Sequence, residues 1–414
     1  MKIWIINQYA VPPSQAGPTR HYSFAGEMIR RGHEVTVIAS SFDHVCRREA
    51  HLHDGERYRY EVMDDVPFLW LWAPPYSGND LSRVFNMLTF AGWLWPFWSA
   101  RRLQKPDVII GSVPTIFAAL AALRLAGHLH VPFVLEVRDL WPQALIDFWG
   151  LSSGHPAVRF LRAVESHLYR CSERIITLLP GSLDYLSERC GKGEKVFWLP
   201  NGIDLNLVPA PKKRAKDGSF TVMFIGNHGL AYGLDVLLDA ALLLQREGGS
   251  PSIRFRLVGD GPDKARLKSR AGEEGIGIIH FEDSVPKMRI YELLQEADAF
   301  LMILKDSPIF KKGTSPNKVF DYLASVRPII HCGDTTFDYI VEGRAGISVP
   351  AGDARALANA VSALARMPDE TLMDMGRHGR CYVEEHFDIG RLAGGLEKVL
   401  YGAVHDFGLK KMRG

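Results

Sequence analysis

Between residues 311 and 321 the stretch KKGTSPNKVFD gathers Lys311, Lys312 and Lys318, with a serine, an asparagine and an aspartate, around Pro316. A proline followed by helix-forming residues marks a helix start, where the first backbone N–H groups have no intrahelical partner. Free N–H groups from Ser315, Asn317 and Lys318, with the ammonium of Lys318 beside them, suit a diphosphate. Asp321 lies one turn further along the same face, where its two oxygens can hold a vicinal diol such as a ribose. The competing reading is a plain capped helix with an i,i+3 ion pair between Lys318 and Asp321, worth roughly a few tenths of a kcal/mol.

Other loops carry related chemistry. FIGNHGLAYGLD sets Gly226, Asn227, Gly229 and Gly233 between an apolar run and a helical one, and LVGDGPDKARL repeats the device with Gly259 and Gly261. Glycines let a backbone approach a ligand closely. Near the amino terminus, Gly17 and Pro18 precede a helix opening on Thr19, Arg20 and His21, an arrangement open to anions. After Gly17 the next glycine is Gly26, so the G-x-G-x-x-G dinucleotide fingerprint is absent. EVRDLWPQ places Glu136, Arg138 and Asp139 just past an apolar run, where charges border a cleft unless Arg138 and Asp139 pair to close the loop. No cluster has metal-ligand spacing, and no metal is expected. His51/His53 and His128/His130 read as surface pairs.

These loops need strands to carry them. KIWIINQYA, HEVTVIAS, PDVIIGSV, VPFVLEVRD and ERIITLL are apolar runs separated by helical stretches, which indicates a parallel sheet covered on both faces. The rhythm stops near residue 200 and resumes with FTVMFIGN, IRFRLVGDG, GIIHFEDSV, AFLMILK, RPIIHCG and GISVP. The expected division is a first α/β domain over 1–200, a linker at 201–217 containing a basic run, and a second α/β domain over 218–385. Residues 386–414 then form a helix able to pack back on the first domain. Two doubly wound domains would face a central cleft, with ligands beyond the carboxyl ends of the strands.

The totals fit this picture. A chain of 414 residues is long for one core. Its 49 basic and 47 acidic residues give no field for nucleic acid. Five scattered cysteines without a C-x-x-C pair point to a reducing cytosol, and the first residues read as a strand, not a signal segment. Residues 66–98 are unusual, holding five of the nine tryptophans: Trp70, Trp72, Trp93, Trp95 and Trp98. From Val84 to Ala100 there is no charge, with Arg83 before and Arg101 and Arg102 after. Pro96 and the short length disfavour a spanning helix, whereas a helix lying on a membrane surface fits, with Trp93, Trp95 and Trp98 at headgroup depth. The alternative is a buried helix of a large domain.

Taken together, GPTRHYSFAGEMIRRGHEVTVIAS, LPNGID, FIGN…GLDVLLDAALLL, LVGDGP and SPNKVFDYLASVRPII resemble the retaining glycosyltransferases of family 4, with the GT-B fold, over almost the whole chain. EVRDLWPQ with SPNKVFDYLA resembles the branch that builds bacterial O-antigens and capsules, often moving N-acetylated amino sugars. By position Asp321 matches the second glutamate of the family's E-x7-E motif, which binds the ribose, and Gly313 stands where the first would be. Asn227, His228 and Tyr232 stand where the family keeps Arg and Lys, leaving Lys305, Lys311, Lys312 and Lys318 as local cations. The resemblance implies donor contacts from Gly17, Gly226, Asn227, Gly259, Phe281, Val285, Lys305, Ser315, Pro316, Asn317 and Asp321, the 281–285 loop meeting the nucleobase. It implies Lys318 and Arg20 as stabilisers of the leaving diphosphate and Asp139 as a group orienting sugar hydroxyls, with no cofactor beyond the nucleotide-sugar, UDP-linked by family habit. The implied acceptor is a lipid-diphosphate-linked saccharide at the inner face of the cytoplasmic membrane. A UDP-sugar epimerase of the same fold and a catalytically silent nucleotide-sugar-binding partner are the rival readings.

Overall fold

The computed structural model describes residues 1–413 except Ala16, Asn79, 96–102, Pro114, 144–145, 147–149, Lys192, 212–217 and 249–251, and does not place the side chains of Lys287, Met288, Lys312 and Arg413. It forms two compact units, Met1–Pro200 with Ile389–Gly414, and Asn201–Asp388.

The first unit is built on Lys2–Ile6 (β1), Glu34–Ser40 (β2), Tyr58–Met63 (β3), Val66–Leu71 (β4), Val108–Val113 (β5), Phe133–Val137 (β6), Arg174–Thr177 (β7) and Val196–Trp198 (β8). Their order across the sheet is β8-β7-β6-β5-β1-β2-β4-β3. All pairings are parallel except β3 on β4. Every residue of β5 and β6 is buried, as a sheet covered on both faces requires. Arg20–Arg30 (α1) and the C-terminal helix Ile389–Arg413 cover one face, where Phe24 and Met28 meet Leu392, Leu396 and Leu400. On the other lie Leu81–Trp93 (α2), Ile116–Leu129 (α3), Pro156–Cys171 (α4) and Leu183–Cys190 (α5), contributing Phe90, Leu125, Leu168 and Leu186.

The aromatic stretch behaves differently from its sequence reading. Its first part is strand β4, and Trp70 is fully buried there, stacked on Phe68 and on His51. His51 is therefore part of the packed interior, not a surface histidine. The β3–β4 hairpin turns through Asp64 and Asp65, both with positive φ (44° and 69°), the backbone of a two-residue primed turn.

The second unit has six parallel strands: Ser219–Ile225 (β9), Ser252–Val258 (β10), Ile279–Glu282 (β11), Ala299–Ile303 (β12), Ile329–Cys332 (β13) and Gly346–Val349 (β14). The order is β11-β10-β9-β12-β13-β14, so the winding reverses between β9 and β12. That reversal opens a crevice at the strands' carboxyl ends. Asp235–Glu247 (α6), Lys264–Glu273 (α7), Lys287–Leu293 (α8), Asn317–Ala324 (α9), Tyr339–Glu342 (α10), Ala354–Arg366 (α11) and Asp369–His386 (α12) complete the unit. Residues just past Pro200 are anchored within it: the Ile203 N–H donates to the Phe387 carbonyl at 3.0 Å.

Candidate functional site

The helix mouth noticed in the sequence sits at the reversal point of the second sheet. Pro316 precedes α9, and no side chain caps the helix. Each residue of the motif has a separate task. Tyr322 accepts from the Ile225 N–H at 2.7 Å and stacks on Phe300, pinning α9 to the end of β9. Phe320 packs edge-on against Tyr339, fixing the helix on its other side.

Lys318, one turn before Tyr322, points to the same strand end. Its Nζ lies 3.8 Å from the ring centres of both Phe224 and Tyr232, has no hydrogen-bond partner and is closed to solvent. The i,i+3 ion pair with Asp321 does not form. Burial alone holds the Lys318 pKa well below the usual lysine range. Beside the ammonium is Gly226, with φ +138°, where an added Cβ would stand 2.7 Å from Nζ. Gly259, with φ +147°, meets the Gly226 carbonyl so closely that any side chain would collide with it. The two glycine loops and Lys318 thus form one assembly.

Asp321 is buried (6% exposed). With Asp204 it lies near Tyr291 of α8, whose phenol is pushed up by burial and by these two carboxylates. Ser315 is held from outside the motif: the Asn201 N–H donates to its Oγ at 2.8 Å, and the Asn201 amide donates to its carbonyl. Asn201 was not among the residues expected to shape the site, although the motif LPNGID contains it. Gly313 has φ +88°, a backbone that disfavours any residue with a Cβ, which is a local reason for glycine where the family has glutamate. Asn227, Asn317 and Lys305 are exposed, and Phe281, Val285 and Pro316 are half-buried at the same edge.

In the first unit Arg20 departs from its expected role. It is 5% exposed; its Nε donates to Glu136 at 2.8 Å, and its two terminal nitrogens donate to the carbonyls of Leu199 and Pro200. His21 Nε2 and Ser112 Oγ also bond Glu136, at 2.7 Å each. Burial raises the Glu136 pKa, but His21 and Arg20 outweigh it and hold the carboxyl well below its ordinary value. With its donors engaged, Arg20 is an anchor of the chain before Asn201, not a cation facing a ligand. Asp139 is exposed and forms no ion pair with Arg138, although the protein around it raises its pKa against the opposing charge of Arg138. Gly17 is exposed at the opening of α1.

The aromatic helix is also corrected. α2 ends at Trp93, which is half-buried and packs against the core and so is not freely presented on the outer face. Leu81 (84% exposed), Phe85 (62%), Val84 and Leu88 form an apolar stripe on the outer face instead. Trp95 is exposed under Arg124, 5.6 Å from its ring centre, while Trp98, Arg101 and Arg102 lie outside the described residues. No helix among the described residues is long and apolar enough to cross a membrane.

Two doubly wound sheets, the second with a cationic helix mouth at its reversal point, are the architecture of the GT-B fold. Residues 17–202 match the Glycosyl transferase 4-like domain and residues 219–367 the Glycosyl transferases group 1 family, so the chain belongs to the glycosyltransferases of family 4 type. A glycosyl transferase of Escherichia coli (strain K12) assigned to colanic acid biosynthesis, WcaI, is 26% identical over 299 residues, 68% of this chain and 72% of that protein. Among solved structures, sucrose-phosphate synthase from Thermosynechococcus elongatus superposes with a TM-score of 0.74 at 16% identity, over 97% of this chain and 99% of that one. Anabaena HepE in complex with UDP and glucose gives 0.67 at 15% identity, over 97% and 99%.

Proposed function

We propose that the protein transfers a sugar, of the N-acetylated amino class, from a UDP-linked donor to a lipid-diphosphate-linked saccharide during surface polysaccharide synthesis, with retention of configuration and without a metal. The observation that carries the donor half is the solvent-free ammonium of Lys318, which lies over two aromatic rings but has no hydrogen-bond partner, beside the glycine loops. A buried cation without a counter-charge or a hydrogen-bond acceptor is unfavourable, and a diphosphate supplies both. The helix mouth adds N–H groups aimed at the same anion. Positioning and charge stabilisation are then the main sources of rate, the leaving diphosphate being balanced by Lys318 in place of a metal ion. Asp321 holds the ribose and Asp139 orients a sugar hydroxyl.

The acceptor half is supported by the apolar stripe of α2, which suits a membrane surface carrying such a lipid, on the inner face of the cytoplasmic membrane. The colanic acid assignment of the E. coli relative and the UDP found with HepE agree with polysaccharide synthesis and with a UDP donor. Incubating purified protein with a panel of nucleotide-sugars and a polyprenyl-diphosphate-linked sugar tests it. Lengthening of the lipid-linked product is expected, and Lys318→Met is expected to abolish it. Epimerised nucleotide-sugar, or no turnover with any pair, would defeat the reading.

A further inference from the structure

His228 stands two residues beyond Gly226 and is completely buried (0% exposed), yet neither ring nitrogen has a hydrogen-bond partner. Its place is tightly fixed. The backbone N–H donates to the Asp260 carbonyl at 2.8 Å, and its own carbonyl accepts from the Asp263 N–H at 3.0 Å. Gly261 presses on that peptide, with an ideal Cβ only 2.6 Å from the His228 oxygen. The ring lies between Phe224 and Phe281, with centroids 5.8 and 6.2 Å away. An apolar side chain would fill this space without leaving polar atoms unmet, so packing alone gives no reason for a histidine.

Chemistry narrows what it meets. Burial, with Lys264 and Lys318 near by and Asp260 opposing, lowers the pKa of His228 to about 4. At neutral pH the ring is thus an uncharged group with one donor and one acceptor. Phosphate oxygens only accept, so a phosphate answers half of it at most. The edge of a heterocyclic base presents both donors and acceptors, so it can meet a ring nitrogen whether that nitrogen donates or accepts.

Location agrees. Lys318 and the mouth of α9 mark the diphosphate position at the β9/β12 reversal, whereas His228 is bonded to the loop after β10 and its ring touches β11. A nucleotide lying across the strand ends would carry its base toward that edge.

We propose that His228 hydrogen-bonds the base of the donor nucleotide and thereby discriminates among nucleotides, an inference that rests on reading this unit as the nucleotide-sugar site. Ligand entry must part the loops at Gly226–Gly229 and Gly259–Gly261 enough to admit the base edge to the ring.

Calorimetric titration of the full chain and of His228→Leu and His228→Gln with UDP, GDP, ADP and inorganic pyrophosphate tests this. His228→Leu should lose roughly tenfold in affinity for the preferred nucleotide, as expected for one lost hydrogen bond, and narrow the spread among the three. Pyrophosphate binding should stay as in the parent, His228→Gln should recover part of the loss, and the melting temperature of His228→Leu should not fall. Unchanged nucleotide affinities in His228→Leu would make the residue a core side chain and overturn the proposal. An equal loss for pyrophosphate would reassign it to phosphate and do the same, and so would collapse of the fold in His228→Leu. Failure of the parent protein to bind any nucleotide would instead defeat the donor-site reading itself.

Discussion

Lys318 is a charged group kept where its charge is poorly solvated. Because burial depresses its pKa, the unliganded protein gives up this charge at a pH where an exposed lysine would keep it. A diphosphate prefers the charged form, so binding raises the pKa again. UDP affinity is therefore expected to be full below the depressed pKa and to fall as pH rises through it, with a proton taken up on binding above it. Titrations in buffers of different ionisation enthalpy, from neutral to alkaline pH, measure both; flat affinity without proton uptake would remove Lys318 from the phosphate. Lys318→Met should also show higher thermal stability with weaker UDP binding, the usual trade at a strained site. Arg20 gives the opposite pattern. Arg20→Met leaves the Glu136 carboxylate buried with one cation fewer, and a loss of about 3–5 kcal/mol is expected in denaturant unfolding. UDP affinity of the folded protein should stay as it was. The place of Lys318 at a helix start could be read from the sequence because the proline and the charge are nearly adjacent. The role of Arg20 could not, because its partners lie 116 and about 180 residues away.

At the scale of elements, α2 has two unlike faces. Its inner face carries Phe90 and Trp93 into the core, and its outer face exposes Leu81, Val84, Phe85 and Leu88. Phe85→Glu with Leu88→Glu is expected to weaken co-sedimentation with anionic vesicles while leaving the melting temperature unchanged, since neither side chain is packed. Trp93→Ala should instead destabilise by about 2–4 kcal/mol through the cavity it leaves. Equal vesicle binding by the double variant would show that the stripe faces something other than lipid. Tryptophan content singled out this segment but not the exposed residues of its helix, because composition does not say which face of a helix is inward. The β3–β4 hairpin was hidden for a related reason. YRYEVMDDVPFLWL does carry the alternation and the Asp-Asp turn of a hairpin, but the aromatic run beyond it reads equally well as an interfacial segment. The parallel strands stood out because strands buried on both faces are uniformly apolar.

For the whole molecule, the two sheets each have their own core, and Lys318 and Asp321, proposed to hold UDP, lie in the second unit. Saturating UDP is therefore expected to raise the melting temperature of the transition belonging to Asn201–Asp388 and leave a separate transition of the first unit in place. Scanning calorimetry with and without UDP resolves this, and a shift confined to the first unit would contradict the donor assignment. Linkage of this kind follows directly from binding to the folded form alone.

The second unit is an insertion, since the first is left at Pro200 and rejoined at Ile389. During synthesis the order of completion therefore differs from the order of translation. The unit encoded in the middle has all its strands once Asp388 has emerged from the ribosome. The unit encoded first must wait, with the apolar side chains of Phe24 and Met28 still lacking Leu392, Leu396 and Leu400. That interval exposes a nascent sheet face to chaperones or to other chains, which makes the late helix a timing element in the birth of the enzyme as well as part of its core.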